Sequence, residues 1–309
     1  MLPALFRAGL CAVGLVVVAG CAVAPAPPAA PGPVASVPST PGPVTAPGPR
    51  SVPVAVPPVV PAAESGYVPG HGIPVVVSHG PAGGHRIALT FDSNMTDAML
   101  HRLDTGQVDS YANPAVIDEL QSRHVPATFF LSGKWVERYP DLTRRIAADP
   151  AFELASHSYA HLGFTGHCYT LGSLPVADMA ADVEHSFDVL APFGGHQTRY
   201  FRFPGGCYDP AALRAVAPAH ATVVQYDDVG GDPFSDDAAA ITASVLKQAH
   251  DGGIVVLHIT KANAPRTADA LPGVIDGLQA RGYRLVTLSD LLSPPGGAAV
   301  RAATRASSG

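Results

Sequence analysis

Phe152-Glu153-Leu154-Ala155-Ser156-His157-Ser158-Tyr159-Ala160-His161 is the stretch on which the reading of this chain turns. A short apolar run leads directly into two histidines four residues apart. At that spacing both side chains share one face if the segment is helical or turns as a helix does. Neutral imidazole is the commonest nitrogen ligand for zinc and related metals, so the pair can present two nitrogens to one ion. The chain holds 13 histidines, and the spacing by itself is a weak signal. Its weight comes from the polar residues that end the other apolar runs.

Those runs alternate with helical patterns. Buried strands are expected over 85–92, 126–131, 200–203, 221–226, 253–258 and 283–288, with a shorter one over 74–79. Between them, helical spacing or start signals predict a helix opening at 113–120, with Asn113 as its cap and Pro114 in its first turn. Further helices are expected over 142–148, 176–190, 211–216, 237–250 and 267–280. Such alternation indicates βα units around a parallel sheet or barrel. Polar residues end the strands: Asp92, the His157/His161 pair, Arg202 and His258, with Asp232 in a loop after a fifth strand. In βα barrels the C-terminal strand ends carry the active site.

In this order the residues resemble the five motifs of the polysaccharide deacetylases of carbohydrate esterase family 4, the chitooligosaccharide deacetylase-like domain. The matching stretches are Thr90-Phe91-Asp92-Ser93-Asn94, His157-Ser158-Tyr159-Ala160-His161, Arg202-Phe203-Pro204-Gly205-Gly206, Asp228-Val229-Gly230-Gly231-Asp232 and Leu257-His258. A C-terminal element is similar as well, in Asn263-Ala264-Pro265-Arg266-Thr267 and Gly282-Tyr283-Arg284-Leu285-Val286. The resemblance implies a distorted (β/α) barrel and metal-dependent N-deacetylation of a sugar in a glycan such as peptidoglycan or chitin. The implied cofactor is a divalent metal, zinc by family habit, with cobalt or nickel as alternatives.

The same resemblance implies roles. Asp92 is the expected general base and Arg202 the partner that keeps it ionised and aimed. His157 and His161 are expected metal ligands. His258 is the expected acid for the departing amine, with Asp232 orienting its imidazole. The backbone N–H near Gly205 is expected to help the metal stabilise the oxyanion, and Leu257 to form the wall for the acetyl methyl. The first motif departs from the family, which usually has a second Asp after the base as an oxygen ligand. Here Ser93 and then Asn94 come next. Asn94 is the expected third ligand, with Ser93, Asp97 or a water as alternatives, and a neutral ligand should bind metal more weakly. The loss of that carboxylate opens a second reading, a glycan-binding protein of the same fold without hydrolytic power. Gly205 also stands where an aromatic is common, and Pro233-Phe234 where an aromatic directly after Asp232 is usual.

Outward from this core the composition changes. Residues 1–20 read as an export signal, with Arg7 the only charge before an apolar run, and Val18-Ala19-Gly20-Cys21 resembles a lipobox. Cys21 is the expected lipidation site, which would hold the protein on the outer face of the cell membrane without spanning it. Residues 21–65 are rich in Pro, Ala and Val, a composition that favours extended polyproline II and a semi-rigid spacer. The deacetylase-like domain is expected over 66–292, followed by a disordered tail over 293–309. Cys168 and Cys207 are the two cysteines of the domain, and in an oxidising compartment an even pair favours a disulfide. They stand shortly after the second and third motifs. A net charge of −6 argues against a nucleic-acid partner, and no protein partner is expected.

Overall fold

The computed structural model describes residues 73–294. The signal, Cys21, the spacer and nearly all of the tail lie outside these described residues. The strands are β1 (Val76–Val77), β2 (Arg86–Asp92), β3 (Ala127–Leu131), β4 (Phe152–Ser156), β5 (His196–Phe201), β6 (Thr222–Val224), β7 (Asp228–Val229), β8 (Ile254–His258) and β9 (Arg284–Val286). The helices are α1 (Asp97–Asp104), α2 (Pro114–Ser122), α3 (Gly133–Arg138), α4 (Pro140–Ala148), α5 (Met179–Leu190), α6 (Pro210–Val216), α7 (Ala238–Gln248), α8 (Thr267–Ala280) and α9 (Leu288–Leu292).

All strand pairs are parallel, in the order β1-β6-β5-β4-β3-β2-β8-β7. β9 also pairs with β2, on its first residues, where β8 takes the later ones. β1 and β7 stand at the two ends of this order without pairing to each other, so the described sheet is a curled, open half-barrel. Every residue of β2, β3 and β4 is buried. A parallel strand covered on both faces is mostly apolar, which is why these segments read as hydrophobic runs; the buried polar side chains among them are hydrogen-bonded, as Thr128 is to Glu153 and Asp92 to Arg202.

The outward-facing side chains of the central strands pack with α2, α7 and α8 into the largest cluster, which holds Leu89, Phe91, Phe129, Leu154, Val255 and Leu257. A second cluster joins β5 and β6 to α5 and α6 through Phe187, Phe201, Leu213 and Val223. A third, with Ala88, Phe130, Ala155 and Val224, closes against Leu288 and Leu291 of α9.

Several expectations are corrected in detail. α1, α3, α9 and the two-residue β7 have no counterpart among the expected elements. Each is short, and sequence periodicity needs more residues than these elements supply. The run expected as a strand over 283–288 ends at Val286, because Thr287 caps α9 by accepting from the Asp290 N–H. Asn113 does stand at the N-cap of α2, but its side chain makes no capping bond.

Candidate active site

Register brings the motifs together. Asp92 and His258 end neighbouring strands and are paired Cα to Cα. Ser156, the last residue of β4, is paired with Phe201, the last of β5. His157 and Arg202 therefore leave the sheet side by side, and all four chemical side chains emerge at one edge. Parallel strands make this unavoidable, because every C-terminal end lies on the same side.

The Asp92 carboxylate is buried between two partners. Oδ1 accepts from Arg202 Nη1 at 2.7 Å, and Oδ2 lies 3.6 Å from His157 Nε2. Burial alone would raise its pKa. The charge of Arg202, with help from His157 and His258, outweighs that and holds the carboxyl below its usual range. Arg202 is itself wholly buried. It donates to Thr90 Oγ1 at 2.8 Å and to the carbonyls of Val224 and Gln225, and its guanidinium lies 3.9 Å from the Phe130 ring centroid. Hydrogen bonds to three other acceptors and the Phe130 ring hold the guanidinium against Asp92.

His258 is oriented just as firmly. Its Nδ1 donates to Asp232 Oδ1 at 3.0 Å, and its backbone N–H donates to Asp232 Oδ2 at 2.8 Å. Thr267 adds a third bond to that carboxylate at 2.6 Å. A carboxylate only accepts, so the hydrogen sits on Nδ1 and Nε2 is the nitrogen left to exchange a proton. Burial disfavours the imidazolium, but Asp232 outweighs it and raises the pKa of His258 above the ordinary value. Thr267 had no expected role, although it stands in the C-terminal motif; only the fold brings it to Asp232.

The histidine pair sits on a loop that is neither helical nor a helical turn. β4 stops at Ser156, and Ser158 and His161 take left-handed backbones, with φ of 67° and 52°. The loop is shaped by polar side chains instead. Asp182 of α5 accepts from the Tyr159 and Ala160 N–H groups, and Ser158 Oγ accepts from the His161 N–H. Asp182 sits 23 residues past Tyr159 on a helix, and no local pattern in the sequence marks it. The two imidazole rings still lie close, with centroids 5.0 Å apart and planes tilted by 58°.

The two rings differ in their partners. His157 Nδ1 lies 2.9 Å from the Arg202 carbonyl. A carbonyl only accepts, so Nδ1 carries the hydrogen and Nε2 keeps its lone pair for a metal. Burial lowers its pKa to about 4, so the ring is neutral at pH 7. His161 is also driven well below the ordinary histidine value by burial, and both of its ring nitrogens are buried without a hydrogen-bond partner. The side-chain Oδ1 of Asn94 is orphaned in the same way. Orphaned buried polar atoms cost about 1–3 kcal/mol each, and a divalent cation is one partner that accepts lone pairs from both an imidazole nitrogen and an amide oxygen.

The two side chains that are alternatives to Asn94 are already engaged. Ser93 Oγ accepts from the Ser132 N–H at 3.0 Å, tying β2 to the loop after β3. Asp97 is exposed on α1 and ion-paired with Lys134. Among the described residues no group of three His, Cys, Asp or Glu side chains could hold a metal. Two imidazoles and an amide oxygen are, by their chemistry, a donor set that fits a divalent ion.

Two expected positions change meaning. Leu257 is wholly buried in the largest core cluster, and a Cβ on Gly230 would collide with it. Strand alternation turns it away from the face that carries His258; Val256, two residues before His258, shares that face instead. Gly205 does lie in the turn after Arg202, with φ of 64°, and a Cβ there would stand 2.7 Å from Cys168 Sγ. Cys168 and Cys207 are bonded, with Cα atoms 5.8 Å apart, and the bridge joins the loop after His161 to the loop after Arg202. No side chain fits at 205 because the disulfide occupies its place.

This geometry has known counterparts. Residues 79–224 match the family model for polysaccharide deacetylase. A peptidoglycan-N-acetylglucosamine deacetylase of Bacillus cereus is 25% identical over 69% of this chain and 70% of its own length. A chitooligosaccharide deacetylase of Bradyrhizobium is 29% identical over 59% of this chain and 84% of its own. Among solved structures, a peptidoglycan N-acetylglucosamine deacetylase superposes with a TM-score of 0.58 at 24% identity, covering 70% of this chain and 92% of that one. A Bacillus anthracis protein described as a pseudoenzyme of carbohydrate esterase family 4 gives 0.57 at 20% identity, covering 71% and 69%. Fold, motif order and family model agree: this chain carries a polysaccharide deacetylase domain, of the family 4 carbohydrate esterase hydrolases.

Proposed function

We propose that the protein removes acetyl groups, as acetate, from the N-acetylated sugars of a cell-envelope glycan, peptidoglycan or a chitin-like polymer. The observation that carries this is the pairing of Asp92 with Arg202 at 2.7 Å beside a His258 that Asp232 orients at 3.0 Å. One group is poised to take a proton, and its strand neighbour is poised to give one.

His157, His161 and Asn94 would hold a divalent metal, zinc by family habit. Such an ion polarises an amide carbonyl and acidifies water when bound. The chain's own groups do the rest. Asp92, kept ionised by Arg202, accepts a proton from the attacking water as its oxygen bonds to the acetyl carbon. His258 Nε2 gives a proton to the sugar nitrogen as the C–N bond breaks, and acetate and a free amine leave. Asp232 and Thr267 keep the imidazole aimed through both steps. The turn at Gly205 presents backbone to the developing oxyanion. Acetate release from N-acetylglucosamine oligomers and from peptidoglycan, measured with and without chelator, tests this reading. Release that persists in Asp92→Asn would overturn it.

A specific observation favours a second reading. Ser93 stands where the family usually has a carboxylate ligand, its hydroxyl is engaged with Ser132, and a pseudoenzyme shares the fold. Glycan binding with no acetate released from any substrate would identify this protein as such a binder. The lipobox resemblance at Cys21 supports an anchored, extracytoplasmic location, which Cys21→Ala tests by releasing the protein from the membrane fraction.

A further inference from the structure

We propose that Tyr169 and Phe234 form an aromatic platform that takes the flat face of a pyranose ring neighbouring the sugar that is deacetylated. Among the described residues, the large apolar side chains left exposed are Ile73, Tyr169, Val176 and Phe234, and the two aromatics are 59% and 66% exposed. They come from distant parts of the chain, yet their rings lie 5.9 Å apart, tilted by 33°. Exposed apolar faces in water carry a free-energy cost that a ligand can relieve. A pair that meets from two separate loops makes one continuous surface.

Both rings are tied to the catalytic groups. Phe234 ends the short turn Asp232–Phe234, whose Asp232 orients His258. Tyr169 adjoins Cys168, which is bonded to Cys207 just past the turn at Gly205. A Cβ on Gly205 would lie 3.1 Å from the Tyr169 ring, so the ring rests against the turn after Arg202. Tyr169 itself has φ of 50°, a backbone conformation that costs an aromatic residue free energy. The adjoining disulfide holds it there. The platform is thus placed relative to Asp92 and His258 by a covalent link on one side and a carboxylate turn on the other.

Chemistry selects the occupant. A sugar ring presents apolar C–H bonds on its faces and hydroxyls on its edge, matching an aromatic face with solvent beside it. Placed at the rim, the platform serves a unit next to the reacting one, so it favours a polymer over a single sugar. The inference rests on the glycan reading of the catalytic groups, and the test separates the two.

The experiment is calorimetric titration of the full chain with N-acetylglucosamine monomer and tetramer, paired with acetate-release kinetics on the tetramer. Tyr169→Ala and Phe234→Ala should each weaken the tetramer by about tenfold and leave the monomer unchanged. KM for the tetramer should rise while kcat holds. Tyr169→Phe, which keeps the ring and the loop, should bind the tetramer within about twofold of the parent. Unchanged tetramer affinity in both alanine variants would overturn the platform. So would an equal loss for monomer and tetramer, which would mean a disturbed turn at Gly205. Tetramer binding that depends on both rings with no acetate released supports the platform and removes the catalytic reading. No binding of tetramer or peptidoglycan fragments by the parent chain would overturn both.

Discussion

The two halves of the candidate site are built on opposite principles. In the proton-transfer half every charged group is paired: Asp92 with Arg202, Arg202 with Thr90 and two carbonyls, His258 with Asp232, and Asp232 with Thr267. In the ligand half His161 keeps two buried nitrogens and Asn94 a buried oxygen with no partner. Folding can satisfy a buried charge only with fixed opposite charges and hydrogen bonds, so the first half is complete before substrate arrives. The second half stays unsatisfied, which is what the proposed metal ligands require.

The contrast breaks most visibly at Asp92. Asp92→Asn keeps the shape and removes the charge, so acetate release should fall by about 10²–10⁴-fold. It also leaves the buried guanidinium of Arg202 without its counter-charge, which should destabilise the fold by about 3–5 kcal/mol. Acetate assay and thermal melting read the two effects separately. Full activity in this variant would mean that the paired half is only scaffolding.

Metal should act on the other half alone. Zinc at about a hundredfold excess over its Kd should stabilise the parent chain by about 2.7 kcal/mol, because the ion binds the folded form only. His161→Phe should abolish that gain, and elemental analysis should show the bound ion lost. In metal-free protein the same variant removes the orphaned nitrogens, so it should melt no lower than the parent. A lower melting point would show that His161 has a structural partner after all.

Asn94→Asp sharpens the comparison by adding the charge that the ligand half lacks. Zinc affinity should rise by at least about tenfold, read by competition with a chelating dye. No change would remove Asn94 from the ligand set. The smallest expected effect concerns pH. His258 has a raised pKa and acts in its protonated form, so the rate should fall as pH rises through that value. In Asp232→Asn the supporting charge is gone, and the alkaline fall should move to lower pH. A limb that does not move would show that another group sets it.

Much of the site is legible in the sequence because its residues end buried strands. Asp92, His157, Arg202 and His258 each stand at or just past the end of a continuous apolar run, and parallel strands collect such ends on one side. Thr267 and Asp182 are not legible in these roles, since each acts on a segment far from it in sequence; Thr267 stands in a motif that does not reveal its partner, and Asp182 stands in none. Leu257 misleads because proximity to His258 in sequence is not proximity on a strand face. Neighbouring residues point to opposite sides, and Val256 is the position that shares the face.

The sequence by itself determined the alternation of strands and helices, the family motifs and the polar residues that end the strands. Those depend on residue type and on order along the chain, which a sequence displays directly. Only the tertiary structure decided which of Ser93, Asn94 and Asp97 is left with an unsatisfied oxygen. It likewise decided that a disulfide fills the space at Gly205, and that Tyr169 and Phe234 meet at the rim. Hydrogen-bond satisfaction and excluded volume are properties of neighbours in space, and those neighbours exist only once the chain has folded.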